Sequence, residues 1–559
     1  MNIRNYNIYF NTHTISGIII CALLYVIFFA GSLSFFKKEI TAWQHNTSYH
    51  KQEVAEQQYD QFLDSLASTT NLHGRDIALN FHQNGMKAYV SVSASHDTML
   101  HAQNLAAKKA NGTGKKERRG GRGGGDATYF GHDFVNNKSG DYASNYDLGE
   151  FLYRLHFLAQ LNEVPIRLGF APFGYVVAGI TAFLFLFALI TGLLLHWDKI
   201  KSNFFIFRPY NKWKTVWTDM HTALGVIGFP YQFLFAVTGV VLILNTLLVA
   251  PFAKVLYNND TDKVYQDLGQ STDISMPYSY TPLDEKFSIG DYVNMAKEKW
   301  PDADITAFNI LNYGDVNMLV ILESEPHLNK QFAGSGILAI QARDNTIIRE
   351  KSPNTDQTYV DSVRSLIYRL HFGDFGGYPV KSLYFILGIM GCLVIISGIL
   401  IWLVARDKNN VLPRKRKFNF WTANVFLAIC LSMFPVTALT FIAIKFAPEV
   451  NQTVIYKIYF NLWWVFSLYY IIRKNLNRTN RETLAIGSIA ALAVPIANGI
   501  KTGSWFWTNF TYGKMDLFVV DFMWLFMGVI GIIALKNIKT YQLDKKKTVE
   551  IKKKEMISI

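Results

Sequence analysis

Apolar runs of membrane-spanning length dominate the pattern of hydrophobic and polar positions along this chain. A helix needs roughly 20 apolar residues to cross a hydrocarbon core of about 30 Å. Runs of about that length predict eight spans, near residues 14–36, 173–196, 221–249, 381–404, 420–445, 453–472, 484–500 and 515–536. The sequence therefore predicts a polytopic α-helical membrane protein in a lipid bilayer.

Two long polar segments separate the first four spans. Residues 38–170 and 251–379 are each long enough for a small domain. Helical spacing and alternating patterns predict helices near residues 57–68 and 289–300 and strands near 88–93, 305–311, 316–323 and 336–341. Both segments are therefore predicted to be small α+β domains.

The resulting order of domains is simple. It comprises a first span (1–37), an external domain (38–170), the second and third spans with their loop (171–250), another external domain (251–379), a fourth span (380–407), a C-terminal four-span bundle (408–540) and a basic tail (541–559). The apolar part of the first run exceeds the roughly 7–15 residues of a signal peptide. We therefore expect it to be retained.

Basic residues are concentrated in particular loops. They follow the second, fourth and sixth spans and also fill the tail, which contains Lys545, Lys546 and Lys547. Because basic loops stay on the cytoplasmic side of a membrane, both termini are predicted to be cytoplasmic and both polar domains external. The net charge of +13 follows from this topology, so no nucleic-acid partner is predicted.

Composition excludes several kinds of site. Half of the 559 residues are hydrophobic and only 17% are charged, which agrees with a membrane protein. The cysteines Cys21, Cys392 and Cys430 all fall in predicted spans and form no Cys-x-x-Cys pair, so neither iron–sulfur ligation nor covalent haem attachment is predicted. The basic, glycine-rich run at 115–125 lacks a phosphate-loop ending and is predicted to be a flexible loop.

Two short motifs each occur twice, and every copy contains a histidine. Residues 153–157 (Tyr-Arg-Leu-His-Phe) recur at 368–372, which is 215 residues later. Such an internal repeat indicates a duplicated unit. The second motif is a His-Thr pair followed by two glycines, and its copies lie 208 residues apart: His13, Gly17 and Gly31, then His221, Gly225 and Gly239.

The duplication predicts paired histidines. Repeated units of membrane proteins pack about a pseudo-two-fold axis, so His13 is expected to face His221 on the cytoplasmic side and His156 to face His371 on the external side. Two imidazoles are suitable axial ligands for a six-coordinate haem iron, so the duplicated unit supplies ligands for two such irons. The alternative is that these rings lie in the headgroup region and the glycines serve helix packing.

The glycines of the second motif suit a flat cofactor. Gly17 and Gly225 each lie four residues after a histidine, on the same helix face, and leave room for a macrocycle. His196 ends the second span and has no counterpart in the other copy. We expect it to be an interfacial residue, with ligation of the inner haem in place of His13 as the alternative.

Two arginines and the remaining histidines complete the candidate site residues. Arg154 and Arg369 precede the external histidines, and a guanidinium fork suits a haem propionate. Interfacial anchoring is the alternative. The other histidines are expected on the surface, with weak metal binding left open; they are His45, His50, His73, His82, His96, His101, His132 and His327.

This arrangement resembles the PepSY-associated transmembrane family of bacterial inner membranes. The resemblance covers about residues 10–407 and leaves out the last four spans. The first copy departs from the pattern after His156, where the Gly-Asp-x-Gly turn is missing. The matching motifs are residues 219–225 (Asp-Met-His-Thr-Ala-Leu-Gly), Thr238-Gly239, residues 370–377 and Ser397-Gly398.

The resemblance implies a function. Similar members include siderophore-iron reductases that carry two b-type haems, so the implied acceptor is a ferric siderophore or other ferric chelate in the periplasm. The chain has no Gly-x-Gly-x-x-Gly fingerprint, and a quinol or a separate flavoprotein is expected to donate electrons. Two other classes stay open: a haem-free module that binds a partner, peptide or metal, and an iron or haem permease, for which Asp521 within a span is the best feature.

Overall fold

The structure is a computed structural model, and it describes residues 2–49, 54–110, 127–166, 168, 171–200, 208, 212–268, 274–284, 287–408 and 410–538. The predicted loop at 115–125 and the basic tail at 541–559 lie outside these residues. The described residues form α1 (Ile3–Ser34), α2 (Lys37–His45), α3 (Glu56–Thr69), α4 (Thr98–Ala110), α5 (Leu148–His156), α6 (Phe173–His196), α7 (Trp213–Ile243), α8 (Asn245–Leu256), α9 (Thr261–Asp267), α10 (Ile289–Lys299), α11 (Tyr359–Phe372), α12 (Gly377–Arg406), α13 (Pro413–Phe446), α14 (Gln452–Arg473), α15 (Leu476–Thr502), α16 (Phe506–Thr511) and α17 (Met515–Asn537).

Seven of the helices formed by the described residues are long and apolar enough to cross a membrane, namely α1, α6, α7, α12, α13, α15 and α17. The predicted sixth span also forms a helix, α14, of 22 residues. Its four tyrosines, two tryptophans and Lys457 make it less apolar than the others, and it is not among the seven. A polytopic helical membrane protein is therefore confirmed.

The first four spans pack as two equivalent pairs. Helix α1 contacts α6 and α12, and α7 contacts the same two helices. If α1 and α7 trade places, and α6 and α12 do the same, every helix keeps the same kind of neighbours. The packing of the duplicated segments therefore has approximate two-fold symmetry.

The two polar segments share one antiparallel sheet. Its strands are β1 (Ile77–His82), β2 (Lys87–Val92), β3 (Thr128–Asp133), β4 (Lys138–Gly140), β5 (Ala303–Leu311), β6 (Leu319–Pro326), β7 (Gly336–Gln341) and β8 (Thr346–Lys351). They are ordered β4-β3-β2-β1-β5-β6-β7-β8. The two halves join where β1 pairs with β5, with Ile77 opposite Ile310. The α+β character is confirmed, but the segments pair edge to edge through this shared sheet.

Two hydrophobic cores support this architecture. One core lies between α3, α10 and the sheet and includes Phe62, Phe308 and Trp300. The other is continuous through the spans, from α1 to the C-terminal bundle formed by α13, α14, α15 and α17. Short polar strands such as β4 and β8 were not predicted, because their exposed side chains lack the alternation that marks a half-buried strand.

Candidate functional site

The structure brings His13 of α1 and His221 of α7 together. Their ring centres lie 6.1 Å apart, with the ring planes at 70°. Nδ1 of His13 lies 2.9 Å from the carbonyl oxygen of Ala188 in α6. Nδ1 of His221 lies 2.9 Å from the carbonyl oxygen of Val394 in α12. Because a carbonyl can only accept, each Nδ1 carries the proton and each Nε2 keeps its lone pair for a ligand.

His13 and His221, called the inner pair below, contact glycines at equivalent positions of α6 and α12. A Cβ atom on Gly192 would lie 3.0 Å from Cε1 of His13, and one on Gly398 would lie 3.2 Å from Cε1 of His221. Sequence reasoning identified Gly398 and did not single out Gly192. The signal was available, because Thr191-Gly192 in α6 matches Ser397-Gly398 in α12.

His156 and His371 form a second pair, called the outer pair below, at the other end of the spans. Their ring centres lie 6.0 Å apart. Nδ1 of His156 donates to the carbonyl oxygen of Ile27, 2.8 Å away. Nδ1 of His371 lies 2.7 Å from the hydroxyl oxygen of Thr238. Since that hydroxyl gives its proton to the carbonyl of Leu234, it accepts from His371, and both Nε2 lone pairs stay available.

The outer pair lies at the C-terminal ends of two helices, α5 and α11. Asp147 caps the start of helix α5 by accepting from the backbone N–H of Glu150, and the helix ends at His156. A capping box at Thr358 precedes helix α11, and Gly373, which has a φ of +64°, caps its end. Glycine adopts that left-handed conformation without the steric penalty of a Cβ atom. Both histidines are therefore carried on the last turn of a short helix that enters the bundle from the sheet side.

The separation of the rings fits two ligands on one metal. An imidazole nitrogen binds a metal at about 2 Å, so two opposed nitrogens lie roughly 4 Å apart and the ring centres roughly 6 Å apart. Both pairs have this spacing, at 6.1 Å and 6.0 Å. The donor set of both pairs suits a bis-imidazole iron.

Space for a flat group lies beside the outer pair. A largely apolar cavity of about 490 Å³ is lined by His156, His371, Gly31 and Gly239, together with aromatic side chains. This volume is within the range of about 300–1,000 Å³ found for cofactor sites. Near the inner pair, a Cβ atom on Gly17 or Gly225 would meet no atom within 4 Å.

The two arginines have partners from the protein itself. Nε of Arg154 lies 2.7 Å from Glu150, and Arg369 lies 3.3 Å from Glu325. Burial alone would raise the pKa of Glu150, but Lys37 and Arg154 lower it to about 2. Binding of propionates by the arginines stays a prediction, because both guanidinium groups already hold carboxylates.

His196 belongs to neither ring pair, and the histidines of the polar segments lie apart from both pairs. His196 ends α6 one turn after Gly192 and is close enough to influence His221 electrostatically. His132 of β3 is buried, contrary to the predicted surface position, and contacts Ser139. His96, in the loop after β2, contacts Asp76. Across the part of the chain that the structure describes, no three His, Cys, Asp or Glu side chains form a metal-binding group.

Comparison with known proteins identifies a family for most of the chain. No match is found among curated proteins. The family model described as "PepSY-associated TM region" matches residues 10–405, a range that contains all four paired histidines and ends just before the C-terminal bundle. Because the match covers most of the chain, this protein belongs to the PepSY-associated transmembrane family.

Proposed function

We propose that the protein is a dihaem b-type electron-transfer protein of the bacterial inner membrane that reduces ferric siderophores or other ferric chelates in the periplasm. The observation that carries this proposal is the pair of histidine sites. Each has ring centres about 6 Å apart and Nδ1 atoms held by neighbouring helices.

The four histidines would bind the haems, and the residues around them would orient the rings and exclude water. His13 and His221 would hold the inner haem, and His156 and His371 the outer one. The haems, when bound, supply reversible one-electron oxidation and reduction at iron. The hydrogen bonds at Nδ1 orient each ring and favour the tautomer with a free Nε2 lone pair, while apolar side chains around the outer pair exclude water.

The position of the two pairs suits electron transfer across the membrane. His13 and Gly31, which contacts the outer pair, are 18 residues apart on α1, or about 27 Å along a helix. The outer pair lies toward the sheet, where a chelate can approach. Basic residues after α6, α12 and α14 favour cytoplasmic termini. A quinol or a separate flavoprotein would supply the electrons.

Haem content tests this proposal directly. The purified protein should contain two haems per chain and show a Soret band with sharp α and β bands on reduction. His221→Ala and His371→Ala should each remove one haem. His96→Ala is the control, because His96 lies in the external domain beside Asp76 and should leave both haems in place. A colourless, folded preparation would contradict the proposal and favour a haem-free module.

A further inference from the structure

The C-terminal bundle lies outside the segment matched by the family. It nevertheless makes specific contacts with α2, a helix of the polar region. Trp43 of α2 is fully buried, and its indole N–H donates to Oδ1 of Asp521 in α17 at 2.7 Å. Asn498 of α15 donates to the other carboxylate oxygen at 3.2 Å. A carboxylate within a span is costly unless it is paired, so this contact is a specific attachment point.

Lys445 of α13 strengthens the same attachment. Its ammonium group donates to the backbone carbonyls of Trp43 and Gln44. The ammonium also lies 3.9 Å from the centre of the Trp43 ring, a cation–π geometry. Three helices of the bundle thus converge on the last turn of α2.

Helix α2 in turn fixes the start of α5, the helix that ends at His156. The side chain of Gln44 accepts from the backbone N–H of Leu148 at 2.8 Å. Lys37 pairs with Glu150 at 2.6 Å. A Cβ atom on Gly149 would lie 2.5 Å from the carbonyl oxygen of Lys37, so the two backbones are in close contact.

The bundle also contacts α5 directly. Phe151 is fully buried, and its ring centre lies 4.7 Å from that of Tyr459 in α14. The partner histidine is supported differently. Helix α11, which carries His371, packs against α7, and Arg369 at its end pairs with Glu325 of β6.

We infer that the C-terminal bundle positions His156: Asp521, Asn498 and Lys445 hold Trp43, and α2 transmits this constraint to α5. These are positioning residues, since none contacts the paired imidazoles. The bundle thereby sets the geometry of one of the two outer ligands. This inference rests on the proposed function, because the outer haem is its most direct readout.

The test compares the full-length protein with Asp521→Asn, which keeps side-chain size nearly unchanged, and with Trp43→Phe, which keeps an aromatic ring but removes the indole N–H. Thr440→Val in α13 is the matched control, because the buried Thr440 hydroxyl bonds only within its own helix, to Val436. Electron paramagnetic resonance and redox titration report on each haem. His221→Ala and His371→Ala assign the outer and inner signals.

We expect both test variants to keep two haems and to shift the spectrum and midpoint potential of the outer haem alone. Backbone amides of α5 should exchange with solvent roughly tenfold faster, and those of α11 at the wild-type rate. The inference is overturned if the outer haem and α5 match the wild type, or if both haems change alike.

Hydrogen exchange separates this inference from the proposed function. If the wild-type protein holds no haem, the proposed function fails, and the exchange rates of α5 alone decide the inference. Faster exchange confined to α5 in Asp521→Asn and Trp43→Phe would then still support the positioning role. Equal rates in α5 for these variants and Thr440→Val would reject it.

Discussion

At the scale of single residues, hydrogen bonds at Nδ1 orient each paired histidine. Nδ1 of His221 lies 3.2 Å from the Ser397 hydroxyl as well as near the carbonyl of Val394. Three of the four histidines have a backbone carbonyl as an acceptor, at Ile27, Ala188 and Val394, and side-chain substitution cannot remove these carbonyls. Thr238 is the exception, since its hydroxyl oxygen accepts from His371. The equivalent position of the first copy, 208 residues earlier, is Ala30, which explains why His156 uses a carbonyl instead.

Thr238→Val should weaken the outer site selectively. The substitution keeps the shape but leaves Nδ1 of His371 without its acceptor, which favours the tautomer whose Nε2 cannot ligate. Loss of such a supporting partner lowers affinity by roughly 10–100-fold. Titration of the haem-free protein with haem measures the effect.

Thr181→Val is the matched control, because the Thr181 hydroxyl bonds only to Val177 within α6. This variant should bind two haems with wild-type affinity. Equal weakening of the inner and outer sites by Thr238→Val would show that the hydroxyl supports the bundle in general and would contradict the role assigned to it.

At the scale of elements, the helices approach the histidine rings at glycines. Gly31 of α1 and Gly239 of α7 are equivalent by sequence, but their surroundings differ. A Cβ atom on Gly31 would lie 2.4 Å from Nδ1 of His156, whereas one on Gly239 would lie 3.7 Å from Cε1 of His371. The first distance is a steric clash and the second is ordinary contact.

Gly31→Ala should therefore displace His156 and reduce haem content from two per chain toward one. Gly239→Ala is its control and should retain both haems, because His371 can stay in place. Haem per polypeptide, measured on purified protein, distinguishes the two results. Similar haem contents in the two variants would be inconsistent with the close approach at Gly31.

The length and composition of elements were the most predictable features. The predicted helices near 57–68 and 289–300 form as α3 and α10, because their periodicity is a local property. Strands β1, β3, β4 and β8 were not predicted from sequence. They are short; β1 and β3 also pair with strands distant in sequence, whereas β4 and β8 are exposed edge strands without a buried face.

At the scale of the whole molecule, ion pairs connect the helices of the polar region to each other and to the spans. Lys37 of α2 lies 2.6 Å from Glu150 of α5, and Lys381 of α12 lies 2.6 Å from Glu39 of α2. Together with the shared sheet, these contacts link both copies of the duplicated unit. Their contribution depends on ionised carboxylates, so stability should depend on pH.

The pKa of Glu150 is lowered from 4.5 to about 2 because its contacts with Lys37, Arg154 and Tyr142 outweigh the effect of burial. A carboxyl group with a lowered pKa stabilises the folded state fully above its unfolded pKa and loses this effect as the pH falls toward the folded value. Stability should therefore decrease between about pH 4.5 and pH 2, by on the order of 3 kcal/mol from this group.

Unfolding in detergent as a function of pH measures this effect. Glu150→Gln should be less stable than the wild type at neutral pH and should lose less stability across the acidic range. Asp304→Asn is the control, because the Asp304 side chain is 77% exposed and should have little influence. A wild-type-like acid profile in Glu150→Gln would disprove the assignment.

The sequence by itself determined the spans, the duplication and the four candidate ligands, because apolar length, helical period and repeated motifs are readable along the chain. Only the tertiary structure decided what joins distant segments. It paired β1 with β5, gave Arg154 and Arg369 protein carboxylates, and placed Trp43 against Asp521 across 478 residues. Such contacts arise from packing and from the need to pair buried polar groups, and no local pattern encodes them.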